Sequence, residues 1–242
     1  MAKPDSISVI IPALNEERTL EPSINTVLEA VRNNFSEYEI IIFNDGSTDR
    51  TGIIADSLAA QNKNITVVHH NKSICIGGVY KKGQKSARME YLILVNGKND
   101  ISVSALNKIF ALHGKYDIII PYLSNLRERS FARRIIAKVF VALLNAIFRL
   151  KIKYYNHFVL HRRSIVNSID IRTNSYAYQA EALIKLIKSG YSYVEVGVTG
   201  IFEKDTETKA FRIRNILEVG LFFMRLIYDV YLKKLSLSPQ PK

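Results

Sequence analysis

Three short polar stretches hold most of the side chains able to do chemistry: Pro12–Glu17 (PALNEE), Asn44–Asp49 (NDGSTD) and Asn96–Asp100 (NGKND). Each follows an apolar run. NDGSTD offers backbone amides and short oxygen acceptors, and Gly46 permits a turn closed to other residues. NGKND ends a buried run with one cation, Lys98, and one carboxylate, Asp100. Alone, each string also reads as an ordinary helix-capping turn. Farther along, Glu181 in YQAEAL is a candidate base, with Gln179 beside it and Lys185 as a helical i, i+4 partner that competes for the same carboxylate. Arg127, Arg129, Arg133 and Arg134 are forked donors suited to a phosphate. His157 and His161 have i, i+4 spacing, but without a third ligand they are not read as a metal site. His69 and His70 end an apolar run and read as structural.

The elements that must position these residues follow from periodicity. Apolar, β-branched runs at Ser6–Ile11, Tyr38–Phe43, Ile65–His69, Tyr91–Val95 and Asp117–Pro121 read as strands buried on both faces. Ile24, Val27, Leu28 and Val31 form an amphipathic helical stripe between the first two. Ile53, Ile54 and Leu58 mark a helix between the next two, with Asp49 as its cap. Alternating strands and helices imply an α/β, mostly parallel, doubly wound sheet flanked by helices. Ligands of such sheets bind beyond the carboxyl ends of the strands, where PALNEE, NDGSTD, HNKSICIGG and NGKND lie.

At 242 residues the chain suits one α/β domain with an appendage. The single Cys75 excludes an internal disulfide and a cysteine metal cage, and with the lack of an apolar N-terminal stretch it points to a cytoplasmic protein. Charge is uneven. Residues 1–100 carry 11 basic and 12 acidic side chains, a net of −1. Residues 127–163 carry 10 basic and 1 acidic, a net of +9 within a total of +12. Such a block suits an anionic surface. Aromatics do not interleave with it regularly, which disfavours nucleic acid.

Residues 131–150 form an apolar helix with one polar stripe at Arg134, Lys138, Asn145 and Arg149. Residues 211–234 repeat the design, with Arg214, Glu218, Arg225, Asp229 and Lys233 on one face. Ten uncharged residues between Lys138 and Arg149 fall short of the roughly 20 that span a bilayer. Two readings stay open: helices packed on the domain or on another subunit, as in a homo-oligomer, or interfacial helices on a leaflet. The expected division is 1–210 as the domain, with 131–150 inserted, and 211–242 as a terminal helix and tail.

Taken jointly, SVIIPALNEERTL, EIIIFNDGSTDRT, YLILVNGKNDIS, NSYAYQAEALIKLIKSGYSYVEVGV and EKDTETKAFR resemble the family-2 glycosyltransferases of GT-A fold. The nearest branch is that of the dolichol- or polyprenyl-phosphate mannose synthases. The resemblance covers about residues 6–215 and implies a nucleotide-sugar donor, a lipid-linked acceptor and a protein peripheral to the inner membrane face. It implies that Pro12, Ala13, Asn15 and Glu16 line the nucleoside, Glu16 toward the ribose hydroxyls. Leu14 falls where a tyrosine often packs on the base, and Asn44 where an aspartate usually accepts a base N–H. Asp45, Gly77 and Asn96 complete the nucleotide set, Asp45 with a turn-holding role as the alternative. Gln179, Lys209 and Arg212 join the four arginines at the acceptor and diphosphate. YYNHFVLHRR replaces the family's SGFR-like segment, so the acceptor pocket differs.

The family holds Mg²⁺ or Mn²⁺ with two carboxylates one residue apart, and here Asn96 and Lys98 stand in those positions. Three readings follow. Lys98 itself supplies the positive charge for a departing diphosphate, with no metal cofactor. A divalent cation binds through Asp100, helped by Asn99. Or the domain is catalytically silent and binds a nucleotide sugar or a membrane partner.

Overall fold

In the computed structural model, residues 5–126, 131–201 and 221–232 are described, with Ala132 and Arg133 defined by their backbone alone. The chain order is β1 (Ser6–Ala13), α1 (Leu20–Asn34), β2 (Glu37–Asp45), α2 (Thr51–Gln61), β3 (Ile65–His70), α3 (Cys75–Ser86) and β4 (Tyr91–Leu94). It continues through α4 (Val103–Phe110), β5 (Ile118–Leu123), α5 (Phe131–Phe148), β6 (Leu160–Arg162), α6 (Arg163–Val166), α7 (Tyr178–Lys188) and β7 (Tyr193–Val198). A further helical segment, 221–232, ends in a π-helical turn at Tyr228–Leu232.

The seven strands form one sheet in the order β3-β2-β1-β4-β6-β5-β7. β1 pairs in parallel with both β2 and β4, so the winding reverses direction between β1 and β4. β6 runs antiparallel to β4 and β5, and β7 returns parallel to β5. Alternation along β1 sends Ile7, Val9 and Ile11 into the core beneath α1 and α4, and Ile10 into the opposite core beneath α3 and α7. Leu144, Phe148, Phe222 and Leu226 extend that second core.

The five expected strands are present. β5 runs past Pro121, which pairs in register with Val196 of β7. Ile118 donates toward β7, to the Ser192 carbonyl. By alternation the missing N–H of Pro121 faces the other side, where β6 pairs only with Ile118 and Ile119. β6 and β7 were not among the expected strands: one has three residues, and the other is a partly buried edge strand interrupted by Glu195.

The polar stripes also need correction. On α5, Asn145 turns inward: it bonds both the N–H and the C=O of Ile152 and accepts from the Tyr155 hydroxyl at 2.8 Å. Phe131, Ile135, Val139 and Leu143 are exposed alongside Lys138 and Arg149. In 221–232, Asp229 is buried with Phe222 and Leu226, while Leu221, Met224 and Tyr228 face outward. The two segments pack together through Phe140 on Phe223 and the stacked rings of Phe148 and Tyr231. No helix among the described residues is long and apolar enough to cross a membrane.

Candidate functional site

The loops after β1 and β2 are laced together at the carboxyl edge of the sheet. The Asn15 N–H donates to Ser47 Oγ at 3.0 Å, the Glu16 N–H to Thr51 Oγ1 at 2.7 Å and the Glu17 N–H to Asp49 Oδ2 at 3.2 Å. In return the Thr48 N–H donates to Asn15 Oδ1 at 2.9 Å, and Asn15 takes a left-handed φ of 57°, tolerable for an asparagine. Asp49 accepts the Thr51 N–H at 2.9 Å, as the cap expected of it, although the helix begins one residue beyond Arg50. Leu14, 45% exposed, forms an apolar lip on this polar frame.

Asn44 and Asp45 are both buried. Asn44 accepts from the Ser47 N–H at 3.3 Å, and its Nδ2 lies 3.0 Å from His69 Nδ1. His69 Nε2 lies 3.0 Å from Asp56, so donation to that carboxylate leaves Nδ1 as the acceptor for Asn44. Gly52 makes room for the pair, since a Cβ there would meet Asn44 Nδ2 at 2.8 Å. Burial works against the Asp45 carboxylate, but donors from Ser73 (2.6 Å), the Ile74 N–H (3.0 Å) and His70 (2.8 Å) outweigh it and hold Asp45 below the ordinary range. Both residues thus order the β2 and β3 loops. Gly77 also has a packing role: its N–H donates to the Asn174 carbonyl at 2.9 Å, and a Cβ would lie 2.7 Å from Asn174 backbone.

The NGKND turn sits beside the β1 loop. The Gly97 N–H donates to the Pro12 carbonyl at 3.1 Å, and Ser23 Oγ to the Asn96 carbonyl at 2.8 Å. Lys98 projects across the crevice between β1 and β4, its Nζ 3.8 Å from Glu16 Oε1 and its side chain 58% exposed. A pair that open and that long contributes under about 1 kcal/mol, so the ammonium can turn to an anion at little cost. Asn96 Nδ2 donates to Asp100 Oδ2 at 3.2 Å, and Thr26 Oγ1 to Asn99 Oδ1 at 3.1 Å.

Beyond the turn lies a recess of about 80 Å³, lined in part by Asn96, Asp100, Asn156, His157 and Phe158. The structure separates the two spaced histidines. His157 faces this recess and its Nδ1 accepts the Phe158 N–H at 2.8 Å, whereas His161 is wholly buried. Burial drives the His161 pKa down to about 3. Asn156 and His157 were missed as site residues because their approach to Asp100 is a long-range contact. The one signal was that YYNHF departs from the family segment.

Gln179 and Glu181 are buried. Gln179 Nε2 is 3.5 Å from His161 Nε2. Glu181 accepts from Lys185 Nζ at 2.6 Å and from the N–H groups of Arg172 and Thr173 at 3.1 and 3.0 Å, so the helical partner has the carboxylate. Arg134 is half-buried, its guanidinium 5.6 Å from the Phe131 ring. Arg127, Arg129, Lys209, Arg212 and the Arg133 side chain lie outside the described residues.

Strand ends, a switch-point crevice and a polar turn after β4 agree with the family comparison, in which residues 8–140 match the family model Glycosyl transferase family 2. The chain belongs to glycosyltransferase family 2. It is 27% identical over 204 residues to polyprenol monophosphomannose synthase of Mycolicibacterium smegmatis, covering 79% of this chain and 76% of that one. It is 24% identical over 231 residues to glycosyltransferase AglD of Haloferax volcanii, covering 90% of this chain but 36% of that protein. The fold is GT-A. Glucosyl-3-phosphoglycerate synthase of Mycobacterium tuberculosis with UDP superposes with a TM-score of 0.62 at 15% identity, covering 93% of this chain and 79% of that one. Another structure of that enzyme holds Mn²⁺, UDP-glucose and phosphoglyceric acid.

The turn does not offer a carboxylate pair to a divalent cation of the kind held there. Lys98 brings a positive charge to one of the two positions and Asn96 a neutral amide to the other, leaving Asp100 as the turn's one carboxylate. Among the described residues, no group of three or more His, Cys, Asp or Glu side chains converges.

Proposed function

We propose that this domain transfers a sugar from a nucleotide-sugar donor to a polyprenyl-phosphate type of lipid acceptor, with Lys98 supplying the positive charge on the departing diphosphate. The observation that carries the reading is Lys98 itself, half-exposed and loosely paired at the crevice where the β1 and β4 loops meet. Breaking the sugar–phosphate bond leaves negative charge on the diphosphate, and a preorganised cation stabilises it as it develops. Pro12–Glu16 frame the nucleoside and Leu14 offers it an apolar contact. An acceptor phosphate is already anionic and needs no strong base, which accords with Glu181 being committed to the fold. Asn156 and His157 would meet the donor sugar or the acceptor beside Asp100. Residues 211–242 serve as an attachment segment to the 1–210 domain, and α5 with 221–232 would rest its exposed apolar side chains on the leaflet, drawn by the basic block. The similarity to a polyprenol monophosphomannose synthase supports the acceptor class.

The test is turnover of UDP- and GDP-sugars with polyprenyl phosphate in vesicles, with Mn²⁺ or with EDTA. Turnover that survives EDTA and is lost in Lys98→Ala supports the reading, and dependence on Mn²⁺ with Lys98→Ala active refutes it. The lack of a carboxylate pair favours one other reading, a silent domain that binds nucleotide sugar without transfer. Binding without turnover across donors and acceptors would select it.

A further inference from the structure

Asp229 lies in the last turn of the 221–232 segment and is 3% exposed. Its Oδ2 is 2.9 Å from Lys185 Nζ and its Oδ1 3.2 Å from Arg172 Nη1. Lys185 also donates to Glu181 Oε1 at 2.6 Å and to the Asp170 carbonyl at 2.7 Å. Glu181 holds the backbone N–H groups of Arg172 and Thr173, and Lys81 Nζ donates to the Arg172 carbonyl at 3.1 Å. Next in the chain, the Asn174 carbonyl receives the Gly77 N–H at the start of α3. Upstream of Gly77, Ser73 and Ile74 donate to Asp45 at the end of β2. Polar contacts therefore run from the terminal helix, through the 170–174 loop, to the β2 and β3 loops.

Two observations set this cluster apart from ordinary surface pairing. Glu181, Lys185 and Asp229 are each at least 95% out of solvent as side chains, a placement that costs more desolvation than it returns unless geometry is specific. The helix also widens into a π turn at Tyr228–Leu232, and Asp229 is the buried residue of that turn. Single π turns inside helices occur often at functional positions.

We propose that Asp229 is a positioning residue of the nucleotide site. It fixes Arg172 and Lys185, these fix the 170–174 loop, and that loop orders the start of α3 and the β3 loop that Asp45 grips. The helix carrying the outward Leu221, Met224 and Tyr228 is thus a working part of the site as well as its attachment. The identity of the site as a nucleotide site rests on the function proposed above; the mechanical link does not.

The full chain is compared with Asp229→Asn, Asp229→Glu and the milder Arg172→Met, whose guanidinium is partly exposed. Exchange of the Gly77 amide is followed by mass spectrometry, and UDP and GDP binding by calorimetry. Loss of a buried charged partner is expected to speed Gly77 exchange and weaken nucleotide binding by about tenfold in Asp229→Asn. Asp229→Glu should restore part of both, and Arg172→Met should move both in the same direction by less. Unchanged Gly77 exchange and unchanged affinity in Arg172→Met and in folded Asp229→Asn would overturn the proposal. A wild type that binds neither UDP nor GDP would refute the nucleotide assignment instead, with Gly77 exchange still reporting the link.

Discussion

The loops over β1–β4 and the helices at 131–148 and 221–232 use charge in opposite ways. In the first region, charged and amide side chains are spent on one another and on backbone: Asn15 on Thr48, Asp49 on Thr51, Asp45 on Ser73 and Ile74. Lys98, 58% exposed and 3.8 Å from Glu16, is more loosely held. In the second region the backbone is satisfied by helix, and the exposed side chains of α5 include Phe131, Ile135, Val139 and Leu143. A laced polar frame with a loosely held cation suits a small charged ligand. An apolar face among basic residues suits a surface. On the function proposed above, the difference separates recognition from attachment, and mutations should separate them too.

The sharpest break falls on Lys98. Lys98→Ala should lower kcat by about 10²–10³-fold, the scale for removing one group that stabilises developing charge. Vesicle binding should stay unchanged, because the residue lies on the recognition side. Steady-state rates with saturating donor, and sedimentation with anionic vesicles, check both halves of the statement.

The reverse break falls on α5. Ile135→Glu with Leu143→Glu places carboxylates at two positions that are already exposed, so folding should survive. Loss of apolar contact worth about 1.5–3 kcal/mol per side chain predicts vesicle binding weaker by about tenfold or more. Nucleotide affinity by calorimetry should not change.

A smaller effect joins the regions. Gly77→Ala would place a Cβ 2.7 Å from Asn174 backbone, where no flexible side chain can yield. Overpacking of that kind costs about 1–3 kcal/mol, readable as a fall of several degrees in the thermal midpoint.

How much of this was legible in sequence follows the same division. β1–β5 and their loops were readable because long β-branched runs leave no alternative to buried strands. β6 offers three residues, too few for any period, and β7 mixes Glu195 into a half-buried edge. Asp229 was placed with Arg225 on a polar face, yet it also stands i+7 from Phe222 and i+3 from Leu226, and it is buried with them to meet Lys185 and Arg172. Gln179 and Glu181 looked like active-site groups because their types allow it; helical spacing already offered Lys185 to Glu181, and the fold adds His161 beside Gln179 and the 172–173 backbone on Glu181. Lys98 was visible in sequence because its charge contradicts its position, and no packing was needed to see it.

The histidines offer the finest test of the contrast. His69 and His70 in the first region contact the carboxylates of Asp56 and Asp45, whereas His161, on β6 within the sheet, is sealed in the core with Gln179. Burial holds His161 neutral down to a pKa of about 3, against 6.5 for a free side chain. As pH falls below 6.5 the unfolded chain takes a proton that the folded chain refuses, so stability drops. One such proton gives a slope of about 1.4 kcal/mol per pH unit, lessening only as pH approaches 3. Asp45 acts later: its depressed pKa contributes stability above the ordinary carboxylate range that is lost as pH falls through it. Urea midpoints between pH 6 and 5 therefore isolate the histidine. His161→Leu should flatten that slope by about one proton, whatever it does to stability at pH 7. Asp45→Asn should remove the loss of stability that follows protonation of Asp45 below about pH 4. An unchanged slope in His161→Leu would mean that the core around β6 admits a proton as readily as water does.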